Sequence, residues 1–179
     1  MNLNSIHDGE TQFVAQNEYS TKAKKEKKMF KKILFGSCLT EYCDHIFNYA
    51  LNLAKENDAK LWIYHGLGRL NLSEEKVVEA ISAAEAKVEE AYVDKMKNQD
   101  FTNYAINVSD GDVVSEISKL ARNAGIDVMV MGTSTAAPLA MGESVKTGPL
   151  GSTAAETILW APCTVIIVPP SLIPGLARG

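Results

Sequence analysis

The sequence predicts an α/β domain built on a mostly parallel sheet of five strands, with helices covering both faces. Three observations lead there. Short apolar or β-branched runs alternate regularly with stretches of helical spacing, the order expected when each strand crosses over through a helix to the next. The first and fourth runs are unbroken, "ILF" and "VMVM", as strands covered on both faces should be. The third, "TNYAINV", alternates instead, with Tyr104, Ile106 and Val108 on one face and Ala105 and Asn107 on the other, which suits a sheet edge with one wet face.

Each element has its own justification. "KKILFGS" is the first strand and stops at Gly36-Ser37. From about Glu41 to Asn57, Ile46, Phe47, Ala50, Leu51 and Ala54 recur at helical spacing. "AKLWIYHGL" is the second strand, closed by Gly66 and Gly68. Ser73 is placed to cap a long helix running to about Asn98, with Glu74 and Glu75 at its positive end and Val77, Ile81, Ala84, Val88 and Ala91 on one face. After the third strand, "SDGD" turns the chain into a helix over Val113 to Ala124. Val113, Ile117, Leu120 and Ala121 face inward there, and Gly125 stops it. "DVMVMG" is the fourth strand, Ser152 to Trp160 a fourth helix ending before Pro162, and "CTVIIVPP" the fifth strand. "TVIIV" is too apolar for an open edge, so a homodimer through residues 163–168 is expected.

Flanking segments differ in character. Residues 1–28 show no sustained apolar period and end in five lysines within seven positions, so they are expected to form a disordered or loosely packed leader rather than a basic arm. Residues 29–170 are expected to be the domain and 171–179 a tail. The 179 residues carry a net charge of -4, without the basic surplus usual for a nucleic-acid binder. Neither a membrane-spanning run nor a signal-peptide pattern is visible. Cys38, Cys43 and Cys163 are odd in number and follow no CxxC or zinc spacing, and a reducing cytoplasm is the expected setting.

In open α/β sheets, ligands bind beyond the carboxyl ends of the strands, where the strand order reverses. Two loops have the right composition: "FGSCLTE" after the first strand and "GTSTAAPLAMGESVKTGPLGST" after the fourth. The latter enters a helix at Gly151-Ser152-Thr153, where unpaired amides and the helix dipole favour a phosphate. The competing view is a crossover whose Gly-Ser-Thr only caps the helix. Cys38, just before a helix start, is expected to be a small structural residue rather than a reactive thiol, with Cys43 pointing elsewhere. His65 at the end of the second strand is expected to pack or stack, Lys146 to be a solvated loop lysine, and Asp44, Glu41 and Asp110 to be helix and turn residues. GxxxxGK[ST], HExxH and GxSxG are absent, so no catalytic residue and no metal ligand is named.

Residues 29–169 resemble the universal stress protein family, on "KKILFGS", "LWIYHGL" and "VMVMGTS…GPLGST…APCTVIIVPP". The resemblance implies a three-layer Rossmann-like or flavodoxin-like sheet of order 3-2-1-4-5, with the fifth strand often a dimer contact. Nucleotide-binding members carry G-x2-G-x9-G-[ST], holding ATP or another adenine nucleotide, with Mg an optional companion. On that pattern Gly132 matches the first glycine and Gly151-Ser152 the closing pair, with Met131 and Thr153 beside them. Thr135 stands where the second glycine belongs, and fifteen residues separate it from Gly151 instead of nine. Cys38, after Gly36 and Ser37, occupies the place of a nucleotide-contacting Asp, and Gly66 would lie by the adenine. The implied function is a cytoplasmic, dimeric regulatory protein of the stress response. A dimeric interaction protein with a vestigial pocket and a disordered loop over 133–150, or a slow nucleotide hydrolase, are the alternatives.

Overall fold

The computed structural model describes residues 28–133, 150–169 and 172. The leader over 1–27, Thr135, Lys146 and most of the tail lie outside the described residues. Five strands, β1 (Lys32–Ser37), β2 (Lys60–Gly66), β3 (Tyr104–Ser109), β4 (Val128–Gly132) and β5 (Thr164–Val168), alternate with four helices. These are α1 (Glu41–Asn57), α2 (Glu74–Lys97), α3 (Val113–Ala124) and α4 (Ser152–Trp160). All strand pairings are parallel, in the order β3-β2-β1-β4-β5. The sequence order therefore reverses at β1, whose Phe35 pairs with Ile63 of β2 on one side and Val130 of β4 on the other.

Alternation along the central strands divides the core into two layers. Ile33, Phe35, Val128 and Val130 point toward α1 and α2, where they pack with Ile46, Phe47, Leu51, Tyr92 and Met96. Leu34, Met129 and Met131 point to the other face, against Ile117 and Ala121 of α3 and Ala154 of α4. Phe47 stacks on Tyr92 with ring centroids 4.4 Å apart, and Phe35 meets both edge-on. At the foot of the sheet, one Asp127 carboxylate oxygen accepts the amides of Lys31 and Lys32 at 2.7 and 2.9 Å, which fixes the start of β1 against the start of β4.

α1 and α3 begin and end where the spacing places them. α3 is capped by the Asp112 carboxylate on the Ser115 amide and closes at Gly125 in the left-handed region. α2 departs from expectation in two respects. Ser73 stands at its N-cap, but its side chain makes no capping bond. The buried stripe is Ala84, Val88, Tyr92 and Met96, shifted toward the C-terminal end, while Val77 and Ile81 stay partly exposed. The cause is length. A helix of 24 residues is roughly 36 Å long, and a strand of six residues spans only about 20 Å. The first turns of α2 therefore overhang the sheet.

Candidate functional site

Parallel strands place all their carboxyl ends on one edge, and the site expected from sequence collects there. Gly36 and Ser37 end β1, Gly66 ends β2, and Met131 and Gly132 end β4. Gly151 is the N-cap of α4, with Ser152 and Thr153 in its first turn. The Gly151 amide donates to the Thr133 carbonyl at 2.6 Å, joining the helix start to the strand end. This corrects one detail: the Gly151 amide is already engaged. Among the described residues no side chain caps α4, whose N-cap is a glycine, and its first turn carries no acid, so the amides of that turn lack intrahelical acceptors and keep their attraction for an anion.

The glycines have distinct reasons to be glycine. At Gly132 an added Cβ would lie 2.5 Å from Ile46 Cδ1 and 2.7 Å from Tyr42 Cε1, both side chains of α1. At Gly66 it would lie 2.9 Å from Val113 Cγ2 and 3.0 Å from the Tyr64 hydroxyl. Close helix packing thus accounts for both. At Gly36 the nearest atoms, Ile117 Cδ1 and Met131 Cβ, lie 3.6 and 3.7 Å away, an ordinary contact.

Tyr42, which sequence reasoning did not single out, is the hub of this edge. Its hydroxyl donates to the Val168 carbonyl at 2.8 Å and accepts from the Thr133 amide at 3.3 Å. The Thr133 hydroxyl lies 3.4 Å away. One buried phenol thereby joins α1 to the ends of β4 and β5, and Thr133 relays the contact to Gly151. Nothing in the local pattern marks Tyr42, because its partners lie 91 and 126 residues further along the chain.

The β1 side of the edge is also tied down. The Ser37 hydroxyl lies 2.8 Å from that of Tyr92 and accepts the Leu39 amide at 3.3 Å. Burial pushes the Tyr92 hydroxyl up to about 12, with the Ser37 bond opposing the rise and Asp44 adding to it. His65 packs here, its Nδ1 donating to the Ser37 carbonyl at 3.1 Å. The β2–α2 and β3–α3 loops are fastened together by the Leu67 amide on Ser109, the Gly111 amide on Gly68 and the Leu70 amide on the Asp110 carboxylate, at 2.9, 3.0 and 2.6 Å.

The cysteines depart most from expectation. Cys38 and Cys43 form a disulfide, with Cα atoms 6.0 Å apart, between the first residue after β1 and the first turn of α1. Cys43 therefore points at Cys38, and Cys38 is a cross-link rather than a small filler. The pair bridges a strand–loop–helix junction, which makes its C-x4-C spacing uninformative on its own. Cys163 is the free cysteine, its thiol pushed up by burial first and by the nearby Asp127 second. Among the described residues no group of three His, Cys, Asp or Glu side chains is arranged to hold a metal ion. None of their helices is long and apolar enough to cross a membrane.

Comparison with known proteins agrees with this architecture. The sequence profile of the universal stress protein family matches residues 29–169. The universal stress protein UspA from Lactobacillus plantarum is 20% identical, with a TM-score of 0.55 over 77% of this chain and 97% of that one. A universal stress protein family member from Burkholderia pseudomallei is also 20% identical, with a TM-score of 0.59 over 79% and 97%. A universal stress protein solved in complex with cAMP is 21% identical, with a TM-score of 0.58 over 78% and 96%. No curated protein matches the chain.

Proposed function

The chain belongs to the universal stress protein family, and from that premise we propose that it is a regulatory module binding an adenine nucleotide at the β1–β4 edge. The observation that carries this reading is the start of α4, with a glycine N-cap that offers no capping side chain, no acid in its first turn, and a bond from Gly151 to the Thr133 carbonyl at the end of β4. A phosphate there meets free amides and a positive helix end. A structural relative solved with cAMP lends support to the adenine nucleotide as ligand class. Gly36, Ser37, Cys38 and Gly66 form the wall on the β1–β2 side, Met131 and Gly132 the β4 side, and Ser152 and Thr153 the phosphate end, while Thr135, also expected there, lies outside the described residues. Of these, Ser37 acts through its backbone, since its hydroxyl is committed to Tyr92. Mg, where present, arrives with the nucleotide and its phosphates.

The same reading includes a cytoplasmic setting and a homodimer through residues 163–168, with residues 29–170 as the working domain. Isothermal titration with ATP and AMP tests the ligand. Heat release saturating at one nucleotide per chain is expected, and no heat with no thermal shift at millimolar nucleotide refutes it. The hydrolase alternative requires a positioned base and a metal, and release of phosphate that survives purification and vanishes in Gly151→Trp would favour it.

A further inference from the structure

We propose that the Cys38–Cys43 bond is a thiol–disulfide switch that sets the shape of the β1–α1 wall of the nucleotide site, an inference that rests on the function proposed above. The bond sits where a switch can act. Cys38 directly follows β1, and Cys43 lies in the first turn of α1, next to Tyr42. Tyr42 holds the Thr133 amide and the Val168 carbonyl, and Thr133 in turn accepts the Gly151 amide. Movement of the first turn of α1 therefore reaches both sides of the site through atoms already in contact.

The chemistry of opening is also provided for. Cys38 is half-buried, whereas Cys43 is 2% exposed, so Cys38 is the member of the pair more open to an external thiolate. Attack there forms a mixed disulfide with Cys38 and expels Cys43 as thiolate. That thiolate is stabilised as a leaving group by the positive end of α1 and by the Cys38 amide, which donates to its sulfur at 3.0 Å. A second thiol of the reductant then resolves the mixed disulfide. One dithiol is oxidised to its disulfide, and the protein gains two electrons and two protons as two thiols.

The two forms differ in backbone as well as in covalent structure. Between the cysteines, Leu39 is held at a φ of 54°, in the left-handed region that a bulky side chain disfavours. While the bond is closed the short ring helps hold that conformation, and opening lets Leu39 relax. In the reducing setting proposed for this chain, a disulfide is expected to be transient and redox-sensing rather than a permanent staple. The oxidised form, with its wall already shaped, spends less ordering entropy on capturing the ligand and binds it more tightly.

The test uses the full chain, oxidised with glutathione disulfide or reduced with dithiothreitol. Intact mass after denaturing alkylation should show one label, on Cys163, in the oxidised form and three in the reduced form. ATP affinity should fall about fivefold on reduction, and amide exchange over residues 37–43 should accelerate. The double variant Cys38→Ser/Cys43→Ser should show the weaker affinity with or without reductant, while Cys163→Ser responds as the parent does. Three labels under oxidising conditions overturn the proposal, as does reduction that leaves exchange unchanged or leaves ATP affinity within twofold or tighter. If neither form binds nucleotide yet exchange accelerates on reduction, the switch stands and the nucleotide reading falls. If neither binds and exchange is unchanged, both fall.

Discussion

At Gly132 a methyl group would run into Ile46 and Tyr42, whereas at Gly36 it would make ordinary contacts with Ile117 and Met131. The two positions therefore separate packing from ligand effects. Gly132→Ala should destabilise the protein by about 1–3 kcal/mol, the usual cost of overpacking. Gly36→Ala should be neutral or stabilising by up to about 1 kcal/mol, through the unfolded chain. Urea unfolding measures both. Tyr92 supplies a prediction about pH. Its folded pKa is raised from 10.0 to about 12, mainly by burial, so the folded state holds the proton where the unfolded state has lost it. Stability from this group is fully present below about pH 10 and is lost as the pH rises toward about 12. Tyr92→Phe should flatten the alkaline limb of a stability–pH curve, and an unchanged limb would assign that limb to other groups. What the sequence conveyed at this scale was which residues end strands and begin helices. It did not convey that Gly132 makes room for a tyrosine 90 residues earlier, because contacts across a sheet leave no mark on local spacing.

Helices show the same division between what spacing encodes and what it omits. α1 was legible because every apolar position in its pattern, Ile46, Phe47, Ala50, Leu51 and Ala54, meets the sheet and is fully buried. α2 was only half legible: its apolar period continues past the end of the strands, so the pattern overstates the buried face at Val77 and misses Tyr92 and Met96. At α4 the sequence correctly marked Gly151, Ser152 and Thr153 as the helix start, but the bond from Gly151 to Thr133 depends on how the intervening chain returns. Gly151 has a φ of -67° and ψ of 159°, which any L residue adopts. Gly151→Asp therefore should preserve the helix, since Asp is a favourable N-cap, while placing a carboxylate where the phosphate is proposed to bind. Titration calorimetry should show nucleotide affinity reduced by about tenfold or more, with melting temperature unchanged or raised. Retained affinity would move the phosphate away from α4.

The whole molecule leaves one edge of the sheet apolar. Among the described residues β5 has β4 on one side only, its Val165, Ile166 and Ile167 are half-buried, and the preceding helix ends with Leu159 75% and Trp160 70% exposed. Open apolar edges invite another chain, and a second copy is the partner proposed for this one. Light scattering should give twice the chain mass, and Leu159→Glu/Trp160→Glu should give the single mass with the domain still folded. A parent chain of single mass would remove the dimer. The reversal at β1 has a different consequence, in time rather than in space. Phe35 must meet Val130, and that strand emerges from the ribosome long after β1, β2 and β3. The early half of the polypeptide thus has to hold together without its central neighbour, and no ligand gripped between β1 and β4 can assist it. A nucleotide bound as proposed would then stabilise molecules only once β4 has joined the sheet, and would leave the earlier, partly made chain without its help.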